Sequence, residues 1–194
     1  MNTERRAYFD QLYQSYRRED AAQIDRLQRW RSIEPESAQF LALLVLVKRA
    51  QNVLEIGTSG GYSTLWLADA LEQTGGRLIT LDIDAARQQA AMRHLAANGL
   101  QNRVQAVCGD AGAFLAGNRE AYDLILLDAE RPAYCGYWPH LADALAEAGS
   151  TLVVDNVLSH AEQVADFIRL VAADRRFTHS ILPVGAGLMM VVRQ

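Results

Sequence analysis

Four aspartates follow short apolar runs in this chain: Asp82 after Leu78–Leu81, Asp110 shortly after Val104–Val107, Asp128 directly after Leu124–Leu127, and Asp155, with Asn156 beside it, after Thr151–Val154. A fifth run, Val53–Ile56, ends in the loop Gly57-Thr58-Ser59-Gly60-Gly61. A lone Asp in such a place commonly caps the next helix. Several carboxylates on one rim repel one another unless a cation or a hydroxyl-rich ligand lies between them, so the grouping predicts a shared ligand. The glycine loop lacks the second glycine that a pyrophosphate-binding Gly-x-Gly-x-x-Gly turn requires, which puts a nicotinamide-dependent oxidoreductase last among the readings. Asp82 suits a pair of ribose hydroxyls, since one carboxylate accepts both, and an adenosine-type ligand stays open.

The elements that must position these residues alternate along the chain. From Asn52 each apolar run precedes an amphipathic stretch: Val53–Ile56 then 62–71, Leu78–Leu81 then 85–97, Val104–Val107 then 111–116, Leu124–Leu127 then 134–146, and Thr151–Val154 then 161–172. Five such units predict a parallel sheet with helices on both faces. Ligands of such sheets bind beyond the carboxyl ends of the strands, near the point where strand order reverses. Phe177–Leu182 and Leu188–Val192 read as a terminal hairpin. Before Asn52, Tyr8, Phe9, Leu12, Tyr13 and Tyr16 recur at helical spacing, and Ile24, Leu27 and Trp30 repeat the pattern, which predicts two short helices. A third opens at Pro35 and is apolar on nearly all sides from Phe40 to Val47, as a helix buried beneath a sheet would be. One domain over 1–194 is expected, with N-terminal helices in 1–50 and the α/β core in 51–194.

Composition excludes other classes. The net charge is −4, so no basic field draws nucleic acid or anionic lipid. No apolar run approaches a membrane span and the N-terminus is polar, so a cytoplasmic protein without membrane contact is expected. The only cysteines, Cys108 and Cys135, read as packing thiols. Of 19 basic residues, Lys48 is the single lysine.

The segment Val53-Leu54-Glu55-Ile56-Gly57-Thr58-Ser59-Gly60-Gly61-Tyr62-Ser63-Thr64 closely resembles the first motif of class I S-adenosylmethionine-dependent methyltransferases, in the form used by the cation-dependent O-methyltransferases that include catechol and caffeoyl-coenzyme A enzymes. Leu81-Asp82-Ile83-Asp84, Gly109-Asp110-Ala111, Tyr122 to Ala129 and Val154-Asp155-Asn156-Val157-Leu158 follow in the family's order, and the resemblance runs from about residue 35 to the C-terminus. It implies a Rossmann-like, doubly wound seven-stranded sheet whose last strand is antiparallel, behind an N-terminal helical extension. It also implies S-adenosylmethionine held by Glu55, Gly57, Thr58, Gly61, Ser63, Asp82, Asp110, Ala111 and Asp128. A divalent cation, magnesium by the hard oxygen character of the set, would sit on Asp128, Asp155 and Asn156 and would assist attack by a hydroxyl of a small, possibly vicinal-diol or aromatic, acceptor.

The chain departs from the family at Arg131, where a lysine is common. A guanidinium stays protonated, so of the two catalytic candidates, Arg131 and Asp128, Arg131 would stabilise a bound anion and would not act as a base. Met189 and Met190 follow Gly187-Leu188, near where the catechol enzymes carry an acidic residue, which points away from catechol itself. His160 reads as a surface or capping residue. A homodimer formed through the N-terminal aromatic helices is expected by resemblance. Two other readings stand beside this one: a metal-independent methyltransferase, and a non-catalytic module that binds S-adenosylmethionine.

Overall fold

A computed structural model describes residues 3–194; residues 1 and 2, counted above within the N-terminal helical segment, lie outside the described residues. The strands are β1 (Asn52–Ile56), β2 (Arg77–Asp82), β3 (Val104–Cys108), β4 (Leu124–Leu127), β5 (Thr151–Val154), β6 (Phe177–Leu182) and β7 (Leu188–Arg193). Helix α1 (Thr3–Ala22) and α2 (Pro35–Lys48) precede them, and α3 (Tyr62–Thr74), α4 (Ala85–Ala97), α5 (Ala111–Gly117), α6 (Tyr134–Ala144) and α7 (Ala161–Ala173) lie between. The strands form one sheet in the order β3-β2-β1-β4-β5-β7-β6. Only β7 runs against its neighbours: it pairs antiparallel with both β5 and β6, while β1 to β5 are parallel. This is the seven-stranded, doubly wound arrangement with the last strand antiparallel that the family resemblance of the sequence implies.

Side chains alternate across the sheet because the strand period is two. Val53, Leu78, Leu124, Leu126 and Val153 point into a core shared with Phe9 and Tyr16 of α1, Leu41 and Val45 of α2, and Leu65 and Leu71 of α3. Leu54, Ile56, Leu81, Ile125, Leu127 and Val154 point the other way, against Leu115 of α5, Trp138 and Leu141 of α6, and Phe167 of α7. Each such Leu or Ile, fully buried, contributes roughly 1.5–3 kcal/mol. Strand order reverses between β1 and β4, whose register ends with Ile56 opposite Leu127, so Gly57 and Asp128 leave the sheet side by side.

Three local expectations are corrected. Residues 3–30 hold one twenty-residue helix and a single turn at Arg26–Gln28, rather than two helices. The second apolar set fails to make a helix face, since Ile24 is 98% exposed and Trp30 turns back onto Tyr16, with ring centroids 4.6 Å apart. Helix α2 packs on α3 with one face only: Leu43 and Val47 are 58% and 81% exposed. Cys108 and Cys135 are both exposed, because β3 is an edge strand and Cys135 lies in the outer first turn of α6, so neither packs.

Candidate active site

The parallel ladder continues one step beyond the strands. The Gly57 N–H donates to Leu81 O (2.9 Å), the Asp128 N–H to Ile56 O (2.9 Å) and the Asp155 N–H to Leu127 O (3.2 Å), which sets the strand-end carboxylates in one row. Above them lies a cleft of about 870 Å³. Gly57, Asp82, Asp110, Ala111, Asp128, Arg131, Asp155 and Asn156 all line it. Glu55, Thr58, Gly61 and Ser63 do not line it: Thr58 and Gly61 belong to the glycine loop, and Glu55 and Ser63 stand behind it.

That loop is shaped from beneath. Glu55, on the α3 side of β1, is fully buried and accepts hydrogen bonds from Ser63 Oγ, Thr64 Oγ1 and Thr80 Oγ1, each 2.6 Å long. Thr58 Oγ1 in turn lies 2.6 Å from Thr80 Oγ1. Burial pushes the Glu55 carboxyl up to about 7 against the opposing pull of its three hydroxyl donors. The result ties β1, β2, the loop and the start of α3 into one unit. Gly57 sits at φ +110°, and a Cβ there would lie 2.0 Å from the Asp128 carbonyl oxygen. Gly61 caps α3 at φ +84°, where a Cβ would meet Ala91 at 2.6 Å. Only glycine lets the loop pass so close to β4 and α4.

At the β2–β3 end the carboxylates are held by backbone. Asp82 accepts from the Ser59 N–H (2.7 Å, Oδ2) and the Asp84 N–H (2.9 Å, Oδ1), and an ionised carboxylate has further lone pairs free. Asp110 caps α5 through the Ala113 N–H at 2.8 Å, and Asp84 caps α4. Ile83, an exposed aliphatic residue, and Tyr137 complete this wall. Tyr137 and Trp138 are neighbours with opposite fates: Tyr137 faces the cleft, whereas Trp138 is buried against Phe167 and Phe177.

At the β4–β5 end the carboxylates meet each other. Asn156, in the left-handed region at φ +65°, sets its Nδ2 2.7 Å from Asp155 Oδ2 and 3.3 Å from Asp128 Oδ1. Asp155 Oδ1 is buried without a hydrogen-bond partner. Burial raises the Asp155 carboxyl, and the Asp128 charge raises it further; burial likewise raises Asp128, opposed by Arg131 and Arg31. No group of three His, Cys, Asp or Glu side chains that could hold a metal occurs among the described residues. The donor set offered here is two carboxylates and one amide. A hard cation accepts such oxygens, and the orphaned Asp155 oxygen fits one. Arg131 is buried beside them, at 9% exposure, and its Nε also lacks a partner. His160 stands at the N-terminus of α7 with Nδ1 2.9 Å from Ser159 Oγ, and burial and Arg131 lower its pKa. Lys48 donates to the Gly149 carbonyl and is not part of the cleft wall.

The segment between α1 and α2 closes the top. Asp20 accepts the Trp30 N–H (2.6 Å) and the Arg31 N–H (2.9 Å), Arg87 reaches the carbonyls of Leu27 and Arg29 (2.6 and 2.9 Å), and Arg31 bonds Glu130 at 2.7 Å. Tyr16, Trp30, Arg31 and Glu34 thereby join the wall; the aromatic spacing in the sequence leaves Tyr16 and Trp30 a place over a substrate, with core packing as the default, and nothing in it marks Arg31 or Glu34. The available signal was the excess of arginine over lysine near residues 26–31, since guanidinium groups can bond carbonyls from a loop.

Comparison with known proteins agrees with this architecture. The chain is 38% identical over 131 residues to a protein named catechol O-methyltransferase from Niastella koreensis, covering 66% of this chain and 58% of that protein. It is 36% identical over 144 residues to one of the same name from Mycobacterium tuberculosis, covering 72% and 61%. It therefore spans about three fifths of the length of these curated relatives. The structure of an O-methyltransferase from Bacillus cereus in complex with SAH superposes with a TM-score of 0.81 at 28% identity, over 97% of this chain and 91% of the other. Residues 4–194 match the family described as O-methyltransferase, and with the cleft at the carboxyl ends of β1 to β5 this chain belongs to the O-methyltransferase family.

Proposed function

We propose that the chain is an S-adenosylmethionine-dependent O-methyltransferase that methylates a hydroxyl of a small acceptor with the help of a divalent cation, magnesium being the natural choice. The observation that carries this reading is one continuous cleft with two unlike ends: Asp82, suited to ribose hydroxyls, and the Asp128, Asp155 and Asn156 oxygens, suited to a hard cation. The SAH in the Bacillus cereus relative supports the donor.

When bound, S-adenosylmethionine supplies a sulfonium methyl group, and a divalent cation lowers the pKa of an acceptor hydroxyl. The chain's residues do the rest. Asp82 accepts the ribose hydroxyls on lone pairs left over by Ser59 and Asp84. Asp110, Ala111, Ile83 and Tyr137 border the adenine. Gly57 brings the backbone close to the methionine portion and to Asp128. Glu55 and Ser63 keep the loop in shape from behind, and Thr58 and Gly61 do so from within it. Asp128 and Asp155 would hold the cation, and Asn156, whose Nδ2 here bonds both carboxylates, would contribute Oδ1 with its amide turned the other way. Arg131 keeps its positive charge throughout and steadies negative charge on the acceptor, because it cannot take the hydroxyl proton at neutral pH. Fixing the two reactants at attack distance removes roughly 7–11 kcal/mol of the barrier.

The proposal includes pairing of two copies. The aromatic residues of α1 are largely turned inward, so the exposed Leu43 and Val47 of α2 are the better contact. Light scattering on the purified chain and on Leu43→Glu measures this.

The test of the activity is methyl transfer from labelled S-adenosylmethionine to a panel of hydroxylated aromatics, with and without EDTA. Turnover that EDTA abolishes and magnesium restores is the expected result. Turnover indifferent to EDTA would reject the cation, and binding of S-adenosylmethionine with no transfer to any acceptor would reject the enzyme in favour of a binding module.

A further inference from the structure

We infer that the acceptor carries a carboxylate close to its reacting hydroxyl and that Arg131 selects it, an inference that rests on the proposed function. Arg131 differs from every other arginine of the cleft. Arg26 and Arg31 are paired with Glu130, Arg87 is spent on Asp84 and two carbonyls, Arg29 bonds the Gln23 carbonyl, and Arg17 is exposed at the rim. Arg131 is buried, its Nε has no partner, and among the described residues its guanidinium makes no hydrogen bond or ion pair. Asp128 and Asp155 act on it only through their charge. A buried Nε–H without an acceptor is costly, and the remaining guanidinium N–H groups, which no protein group accepts, are open to a ligand in the cleft.

The chemistry of that ligand follows from shape and place. A planar fork of donors matches a planar carboxylate, which takes two parallel hydrogen bonds where a single hydroxyl oxygen takes one. Arg131 lies three residues beyond Asp128, in the short turn Arg131–Ala133, so the group it binds must sit beside the reacting oxygen and not at the far end of a long molecule. Charge agrees. Asp128, Asp155, Glu34 and Glu130 face Arg26, Arg31 and Arg131 at this end of the cleft. A bound divalent cation leaves that set with one positive charge in excess, which an anionic acceptor neutralises. The acceptor class is thus a small aromatic ring bearing neighbouring hydroxyls and a carboxylate.

The test is a titration of 3,4-dihydroxybenzoate, 2,3-dihydroxybenzoate and catechol into the protein saturated with magnesium and S-adenosylhomocysteine, read by calorimetry. At least one carboxylate-bearing ring should bind about tenfold or more tightly than catechol, the size of effect that a charge-assisted hydrogen bond gives. Arg131→Gln should collapse that ratio to near one, and Arg131→Lys, which keeps the charge and loses the fork, should restore only part of it. Catechol binding as tightly as both acids overturns the inference, and so does a loss in Arg131→Gln shared equally by all three rings. The wild-type ratio decides even if the variants fold poorly. Catechol methylated efficiently without any preference for the acids removes this inference alone, whereas S-adenosylhomocysteine binding with no ring bound or methylated removes the proposed function with it.

Discussion

The two ends of the cleft solve the problem of clustered carboxylates differently. At the β2–β3 end Asp82 and Asp110 accept backbone N–H groups from Ser59, Asp84 and Ala113, so their charge is met by the protein's own amides and the wall is complete before anything binds. At the β4–β5 end Asp128 and Asp155 are buried against each other, share one Asn156 amide, and leave an Asp155 oxygen unpaired. The first end is preorganised for hydroxyls. The second is electrostatically unfinished and gains stability from a positive species. A site for a neutral, weakly selected portion of a ligand tolerates solvated carboxylates, whereas a site that must lower a hydroxyl pKa keeps its charges dry and close.

The sharpest way to break this contrast is Asp155→Ala. It should lower magnesium-stimulated methyl transfer by at least about 100-fold and erase the rise in melting temperature that magnesium gives the wild type, a rise worth about 2.7 kcal/mol at a hundredfold excess over Kd. Its affinity for S-adenosylhomocysteine should move by less than about threefold, within the spread of a distant substitution. A preserved magnesium shift would show that the β4–β5 end is not a cation site. Next, Gly57→Ala joins the two ends: the positive φ and the clash with the Asp128 carbonyl should cost about 2–4 kcal/mol in urea melts, the range of a severe backbone effect. Asp82→Ala should then weaken S-adenosylhomocysteine binding about tenfold by calorimetry while leaving the magnesium shift in place, because it removes a charge-assisted contact at the β2–β3 end alone. If the two properties fall together, the ends are not separable.

The smallest effect concerns the unit beneath the loop. The Glu55 carboxyl is raised to about 7 in the folded protein from 4.5 in a solvated chain, so the native state binds the extra proton between those values. Stability should fall as pH rises through that window, and the contribution of this group to the slope should vanish in Glu55→Gln. Parallel denaturant melts of the two proteins at pH 5 and pH 7 measure the difference; equal slopes would mean that the carboxylate is solvated.

Much of the molecule was legible because its signals are local. Continuous apolar runs such as Leu124–Leu127 and Thr151–Val154 state their own burial on both faces, the alternation with helical stretches dictates parallel pairing, and the Asp that follows four of the five runs reaches the rim whatever packs nearby. Those features carried the parallel sheet and the row Asp82, Asp110, Asp128 and Asp155, whereas the seven-stranded order with an antiparallel last strand came from the family resemblance of residues 53–64 and the motifs that follow. What failed depended on distant partners. Nothing near Ile24 or Trp30 says that Asp20 and Arg87 hold that segment over the cleft. Nothing in α2 distinguishes Leu41, covered by the core, from Leu43, left exposed.

By itself, then, the sequence determined which residues lie on the rim and in what order, since strand period and helix capping act over a few residues. Only the tertiary structure decided that Glu55 supports the loop from beneath, that Tyr137 and not Trp138 faces the cleft, and that Arg131 is buried with its donors unused. Each of these depends on which of two opposite directions a neighbour from another part of the chain occupies. Packing of that kind has no periodic trace in the residues themselves.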